Sequence, residues 1–209
     1  EFCARHGIRL HGELPDGGSE GICHVLLAER YALPGEVIVG TDSHTSHSGA
    51  LGCLAFGVGT TDIANAWITG DARLTVPPTC RVRLHGRMKP GVYAKDLVLH
   101  LLSLPFVHEG GAIGHVIEYQ GEALAGMSID ERATLTNMAA EIGGFTGIVA
   151  PDAETVRFLR ERRGVEAKLE AWMASDPDAD FALTLDVDCS ALGPMVAAPG
   201  DPGRGVALS

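Results

Sequence analysis

Short apolar runs rich in β-branched residues alternate with longer helix-like segments along almost the whole chain. This alternation is typical of α/β proteins, because a helix that crosses a sheet brings the next strand in parallel to the previous one. The pattern predicts strands at residues 36–39, 80–84, 114–119, 147–149 and 181–187, and helices at residues 61–69, 94–102, 128–142, 152–163 and, in a charge-rich stretch, 165–175. We therefore predict an α/β fold with at least partly parallel sheets.

Helix-end and turn signals mark where the predicted elements begin and end and where the chain divides into domains. Ser128 and Glu131 have the spacing of a capping box, and Gly143 suits the C-terminal end of the helix that they begin. Pro77-Pro78 interrupts any regular element, so we predict a domain boundary there. The tail at residues 193–205 is rich in proline and glycine, and we expect a linker.

The composition excludes several classes of protein. The chain has 209 residues, of which 45% are hydrophobic and 21% charged, and this balance is that of a globular protein rather than a disordered one. A formal net charge of −11 argues against binding to nucleic acid or to anionic membranes. The longest apolar runs are far too short to span a bilayer.

The cysteines are scattered and form no CxxC motif; they are Cys3, Cys23, Cys53, Cys80 and Cys189. This spacing indicates neither a disulfide framework nor a zinc knuckle. Free, mostly buried thiols in a reducing compartment are the simpler interpretation, so we expect a cytoplasmic protein.

The densest group of reactive side chains lies at residues 40–49 and contains Asp42, Ser43 and His44. On an extended backbone Asp42 and His44 would share a face, whereas Ser43 would point the other way. A carboxylate and an imidazole so placed can bind a hydroxy acid or relay protons. The alternative is a polar turn whose side chains satisfy local backbone amides. A Ser–His–Asp nucleophile is disfavoured, because the GxSxG elbow is absent and adjacent Ser and His in one strand do not readily hydrogen-bond.

Three further side chains are candidates for the same site. His24 stands in an apolar stretch, where a lone histidine is more often a satisfied core residue. Glu141 follows an apolar turn, so its carboxylate either faces solvent or is buried with a cationic or imidazole partner. Asn137 lies about one turn before Glu141 and could face the same cleft. The glycines at residues 49–59 favour close packing of backbone over a nucleotide-binding loop.

Residues 40–45, Gly-Thr-Asp-Ser-His-Thr, resemble the signature of the aconitase superfamily, which includes aconitase, homoaconitase and the 3-isopropylmalate dehydratase large subunit. Further motifs match in the family's order; they lie at residues 21–24, 33–35, 49–52, 55–60, 92–97, 117–119, 136–141 and 184–188. The resemblance covers nearly the whole chain, and residues 150–152 favour the isopropylmalate and homoaconitate branch.

The resemblance implies three-layer α/β/α domains of the aconitase type with largely parallel sheets. We expect this chain to contain only part of that fold. Residues 1–77 would be the C-terminal part of a first domain, residues 78–192 a second domain, and residues 193–209 a linker toward a third. We therefore expect the central part of a longer large subunit.

The family's activity implies roles for the candidate side chains. Its members dehydrate and rehydrate hydroxy di- or tricarboxylic acids with a 4Fe–4S cluster. By resemblance, His24 would pair with Asp42, and His44 would pair with Glu141, around the reacting hydroxyl. Ser43 would hydrogen-bond to the substrate. Asn137 would lie beside the cluster.

The chain also departs from the family. By the same resemblance, the three cluster cysteines would lie downstream of residue 209, and the His-Asp segment that protonates the leaving hydroxyl would lie upstream of residue 1. The catalytic serine and most substrate-binding arginines would belong to a separate swivelling domain or subunit. None of the present cysteines matches a cluster-ligand position of the family. Taken alone, the chain is expected to be inactive. Two alternatives stay open: a non-catalytic binding module of the same fold, and a divalent-metal hydrolase using Asp42, His44 and His24.

Overall fold

A computed structural model describes residues 1–208 of the chain. The helices are α1 (Phe2–Arg5), α2 (Cys23–Arg30), α3 (Thr60–Thr69), α4 (Ala94–Ser103), α5 (Pro105–His108), α6 (Ile129–Asn137), α7 (Ala139–Ile142) and α8 (Ala153–Arg163). The strands are β1 (Val37–Gly40), β2 (Leu54–Gly57), β3 (Thr79–His85), β4 (Val116–Gln120), β5 (Thr146–Val149), β6 (Leu183–Asp188), β7 (Met195–Ala197) and β8 (Gly205–Ala207). Helices of the 3-10 type lie at Ser43–Leu51, Glu122–Gly126 and Ala171–Met173.

The main sheet is parallel throughout, with strand order β5-β4-β3-β6. A second, two-stranded sheet pairs β1 with β2, also in parallel. The α/β class with largely parallel sheets is therefore confirmed. None of the helices in residues 1–208 combines the length and the apolar character that crossing a bilayer would need.

Helix α4 shows how local sequence builds the larger core. Asp96 accepts a hydrogen bond from the backbone N–H of Tyr93 at 2.8 Å, which caps the helix. Leu97 and Leu101 follow four residues apart and are buried, so one face of the helix covers the main sheet. Ile117, on β4, is buried in the same cluster.

A second core lies under β1 and the 3-10 helix Ser43–Leu51. It contains Leu51 and Ala55 but also Ile129 of α6 and Leu159 of α8. Residues from both sides of Pro77-Pro78 therefore share one core. The domain boundary near residue 77 stays a prediction.

Two of the predicted helices differ in the structure. The helix predicted over 128–142 begins at the expected capping box, where Glu131 N–H donates to Ser128 Oγ at 3.3 Å. It divides into α6 and α7 at Met138, and α7 ends at Gly143, whose φ of 80° is left-handed.

The prediction of a continuing helix over 165–175 is wrong. Gly164, with φ of 64°, ends α8, and the chain then returns to the sheet.

Two glycine-rich segments, residues 40–59 and the tail, contain regular structure. Residues 40–59 hold the 3-10 helix Ser43–Leu51 and strand β2, because Leu54–Gly57 pairs with β1. The tail holds an antiparallel pair of β7 and β8 rather than only a linker. It is attached to α4 by a hydrogen bond of 2.6 Å from Met195 N–H to Asp96 Oδ1.

Candidate active site

The site is built around Asp42, which follows β1 and caps the 3-10 helix Ser43–Leu51. Its Oδ1 accepts the backbone N–H of His44 at 2.7 Å. The glycine of β2 permits this approach, since a Cβ on Gly57 would lie 2.6 Å from the carbonyl oxygen of Asp42. The interpretation of these glycines as close-packing positions is supported by this distance.

The first imidazole–carboxylate pair joins His24, on α2, to Asp42. His24 Nε2 lies 3.0 Å from the same Asp42 Oδ1 that caps the 3-10 helix. The His24 side chain is 12% exposed and that of Asp42 56% exposed. The backbone hydrogen bond from His44, and then the bond to His24, hold the pKa of Asp42 below its ordinary value, so the carboxylate is charged. His24 is thus partly buried, as a core residue would be, but its ring is directed to an acid.

The second pair joins His44 to Glu141, which lies 97 residues further along the chain. His44 Nε2 is 3.2 Å from Glu141 Oε1. This hydrogen bond raises the pKa of His44 above its ordinary value, against an opposing effect of burial. The protonated imidazole is therefore favoured at this position. Glu141 has an imidazole partner, but the residue is exposed and not buried, so it combines features of its two predicted environments.

Ser43 contributes to the second pair. Its Oγ lies 3.2 Å from Nδ1 of His44. We expected adjacent Ser and His not to hydrogen-bond, and that expectation was wrong because it assumed an extended backbone. The tight 3-10 turn brings the two side chains together. For the same reason Asp42 and His44 meet through a capping contact and not as neighbours on a strand face.

The two pairs form one cluster. The ring centroids of His24 and His44 are 6.4 Å apart, and Asp42 Oδ1 lies 3.4 Å from His44 Nδ1. Three separated stretches of chain therefore converge, as the resemblance implied. The catalytic roles of these side chains stay predictions.

His47 was not among the candidates, although it lies in the same segment. Its ring stacks on His24 with centroids 6.1 Å apart and an interplanar angle of 25°. Burial, and then the neighbouring His24, lower the pKa of His47 to about 4. The sequence signal was its spacing, because residues three apart lie on one side of a 3-10 helix and His47 is three residues after His44.

A cavity of about 420 Å³ opens beside the cluster. Its polar lining includes His24, His47, Asp130, Asn137 and a second residue missed from the sequence, Lys95. Asn137 and Glu141 were expected to face one cleft; Asn137 lines the cavity, whereas Glu141 contacts His44. A larger cavity of about 720 Å³ lies near Arg87 and contains none of the predicted site residues.

The cysteines do not fit a cluster site within this chain. Burial raises the pKa of Cys53 to about 12 and that of Cys80 to about 11, which disfavours the thiolates that iron would require. Within residues 1–208, no group of three or more His, Cys, Asp or Glu side chains is arranged to hold a metal ion. The hydrolase alternative, with Asp42, His44 and His24 as metal ligands, gains no support from this arrangement.

Comparison with known proteins identifies the family. The sequence profile of the aconitase family (aconitate hydratase) matches residues 1–209. The probable 3-isopropylmalate dehydratase large subunit of Methanothermobacter thermautotrophicus is 42% identical over 200 residues, 95% of this chain and 46% of that protein. The 3-isopropylmalate dehydratase large subunit 1 of Methanopyrus kandleri is 44% identical over 203 residues, 97% of this chain and 46% of that protein.

A third relative, the 3-isopropylmalate dehydratase large subunit 1 of Pyrococcus furiosus, is 40% identical over 210 residues, 100% of this chain and 48% of that protein. The chain thus spans about half the length of the curated relatives that it matches. Because the family profile matches from the first residue to the last, the chain belongs to the aconitase family.

Proposed function

We propose that this chain is the central part of the large subunit of an iron–sulfur hydro-lyase. Its substrate would be a hydroxy di- or tricarboxylic acid of the 3-isopropylmalate, homoaconitate or aconitate type. The observation that carries the proposal is the convergence of two imidazole–carboxylate pairs, His24 with Asp42 and His44 with Glu141, from three separated stretches. Relatives named 3-isopropylmalate dehydratase large subunit support the same substrate class.

The second pair suits the departure of a hydroxyl. Hydroxide is a poor leaving group, so the oxygen must gain a proton as its bond to carbon breaks. Because Glu141 raises the pKa of His44, the protonated imidazole, which can donate a proton, is favoured more than in a free histidine. Ser43, whose Oγ lies 3.2 Å from His44 Nδ1, would hydrogen-bond to the substrate.

The first pair fixes an imidazole at the edge of the cavity. Asp42 is charged and receives His24 Nε2, which sets the orientation of the ring and identifies Nε2 as the protonated nitrogen when the imidazole is neutral. The other nitrogen, Nδ1, is buried and has no hydrogen-bond partner among the described residues.

The remaining parts of such an enzyme would come from outside these residues. They are the cysteines that hold the cluster, the catalytic serine with most substrate-binding arginines, and a small swivelling domain or subunit. The relatives are named as large subunits, which supports a small-subunit partner. We propose a cytoplasmic location for the assembled enzyme.

The test uses the complete enzyme that contains this segment, purified anaerobically with its small subunit. We expect Glu141→Gln to reduce kcat by about 100-fold, because a neutral amide no longer raises the pKa of His44. The alkaline limb of the pH profile should move to lower pH, because His44 then loses its proton at a lower pH. Glu166→Gln, at an exposed position, is the control and should leave both unchanged. Full activity in Glu141→Gln and in His24→Ala would refute the proposal.

The isolated chain provides a second test. We expect it to bind no iron–sulfur cluster and to show no turnover, because its cysteines do not converge on a site. Anaerobic reconstitution followed by iron and sulfide analysis measures this. Stoichiometric iron and sulfide together with dehydratase activity would overturn the assignment of the cluster ligands to other segments.

A further inference from the structure

Lys95, in the first turn of α4, is an exposed residue whose ammonium makes only a weak side-chain contact. Its Nζ donates a hydrogen bond to Sδ of Met138 at 3.0 Å. A thioether is a weak acceptor and carries no charge. Among residues 1–208 no carboxylate lies within 4.0 Å of the ammonium, although the chain contains 27 acidic residues. Lys95 is thus a positive charge without a charged partner.

Lys95 lines the same cavity as His24 of the first pair. The 420 Å³ cavity is also lined by Asn137. Val25 and Ala133 contribute apolar side chains to its lining. A cavity of this size is suited to a small organic acid, since ligand pockets begin at about 300 Å³.

Two other ionisable side chains that line the cavity, His47 and Asp130, do not supply a positive charge there. His47 is neutral at physiological pH because burial lowers its pKa to about 4. Asp130 is exposed at the rim, and its carboxylate is too far from Lys95 for an ion pair. An anionic group that enters between Lys95 and Asn137 would therefore meet an unneutralised ammonium and a primary amide, both of which donate hydrogen bonds.

We propose that Lys95 is a substrate-binding residue that holds one carboxylate of the hydroxy acid in this cavity, an inference that rests on the proposed function. The ammonium exchanges its weak thioether contact for a charge-assisted hydrogen bond. The bound carboxylate keeps the substrate against the wall that contains His24. Lys95 takes no part in proton transfer, so its removal should weaken binding more than turnover.

Protection from chemical modification tests this directly in the complete enzyme. Lysines are methylated reductively with and without saturating 3-isopropylmalate, and peptide mass spectrometry measures the rate at each site. We expect at least a fivefold slower reaction at Lys95, and unchanged rates at Lys89 and Lys168, the other lysines of this chain. The dimethyl ester, which lacks the charges, should give no protection. Equal rates at Lys95 with and without the acid would overturn the inference.

Kinetics of matched variants provide the second measurement. We expect Lys95→Met, which keeps the aliphatic stem, to raise KM at least tenfold with kcat within threefold of the wild type. Lys95→Arg should recover most of the affinity. Lys168→Met, at an exposed site paired with Glu170, should behave as the wild type. Equal circular dichroism and melting curves would exclude misfolding.

The outcomes separate this inference from the proposed function. If the complete enzyme dehydrates hydroxy acids but Lys95→Met leaves KM unchanged, the role of Lys95 is refuted and the function stands. If the complete enzyme neither dehydrates hydroxy acids nor protects any lysine, the proposed function fails, and this inference fails with it.

Discussion

A single oxygen of Asp42 both caps the 3-10 helix Ser43–Leu51 and orients an imidazole. Oδ1 accepts the backbone N–H of His44 at 2.7 Å and lies 3.0 Å from His24 Nε2. Capping residues and catalytic carboxylates are usually weighed as competing interpretations of an Asp in a loop. Here the same contact serves both purposes, because the cap holds the carboxylate still beside the ring of His24.

His47 makes a pH-dependent contribution to stability. Burial lowers its pKa in the folded state to about 4, whereas the unfolded chain binds a proton near pH 6.5. The free energy of unfolding should therefore fall as the pH drops from 6.5 to 4, by at most about 3 kcal/mol at ~1.4 kcal/mol per pKa unit. We expect His47→Gln to remove most of this loss in urea unfolding, and the exposed His108→Gln to retain it. An unchanged slope in His47→Gln would contradict the assignment.

His44 acts in a different pH range. Its pKa is raised, mainly by the hydrogen bond to Glu141, so its contribution is complete below pH 6.5 and is lost as the pH rises through the higher folded value. The acid-induced loss below pH 6.5 therefore does not come from His44. Measurements on both sides of pH 6.5 distinguish the two histidines.

Arg132 is the residue whose removal should cost the most stability away from the site. Its side chain is 0% exposed; it donates to both oxygens of Asp152 at 2.8 Å and to the Leu124 carbonyl at 3.0 Å. We expect Arg132→Met to lower the free energy of unfolding by about 3 kcal/mol, since a buried network loses its donor. Arg162→Met removes only an exposed contact to Glu29 at 3.7 Å and should cost less than about 1 kcal/mol. Equal costs would show that the Arg132 network is not stabilising.

At the level of elements, the 3-10 helix Ser43–Leu51 lies directly against β5. A Cβ on Gly49 would be 1.9 Å from the carbonyl oxygen of Gly147, so only glycine permits the approach. We expect Gly49→Ala to destabilise the fold by more than about 3 kcal/mol, or to prevent folding. Gly193→Ala, where nothing lies within 4 Å, should change stability by less than about 1 kcal/mol. A Gly49→Ala protein with wild-type urea unfolding would show that the two elements can separate at little cost.

The break between α6 and α7 was not predictable from the sequence around it. The periodic pattern and the caps at Ser128 and Gly143 are compatible with one helix over 128–142. The structure instead turns at Met138 and leaves Glu141 on a short helix. That displacement separates Asn137, which lines the cavity, from Glu141, which contacts His44.

At the scale of the whole molecule, α3 leaves an apolar surface uncovered. Trp67 is 71% exposed and Ile68 82%, whereas Ile63 is the buried residue of this helix. Contiguous apolar exposure favours association and dye binding. We expect this chain to bind a hydrophobic dye and to associate with increasing concentration in static light scattering.

Paired substitutions test the source of that association. Trp67→Lys combined with Ile68→Glu should abolish most dye binding, whereas Phe2→Lys, at a separate exposed site, should not. A monomer without dye binding in the unmodified chain would show that the α3 surface is not adhesive.

Periodicity, capping and turn chemistry determined the α/β class, most strands, the start of α6 and the end of α7, because these depend on residues within a few positions of one another. The motifs also indicated His24, Asp42, His44 and Glu141 as candidates. The resemblance implied that His44 pairs with Glu141, 97 residues away, and the tertiary structure supplied the 3.2 Å contact. Only the tertiary structure decided that His47 stacks on His24 and that Lys95 lines the cavity beside them. Such contacts depend on how whole elements pack, and no local pattern in the sequence encodes the distance between two elements.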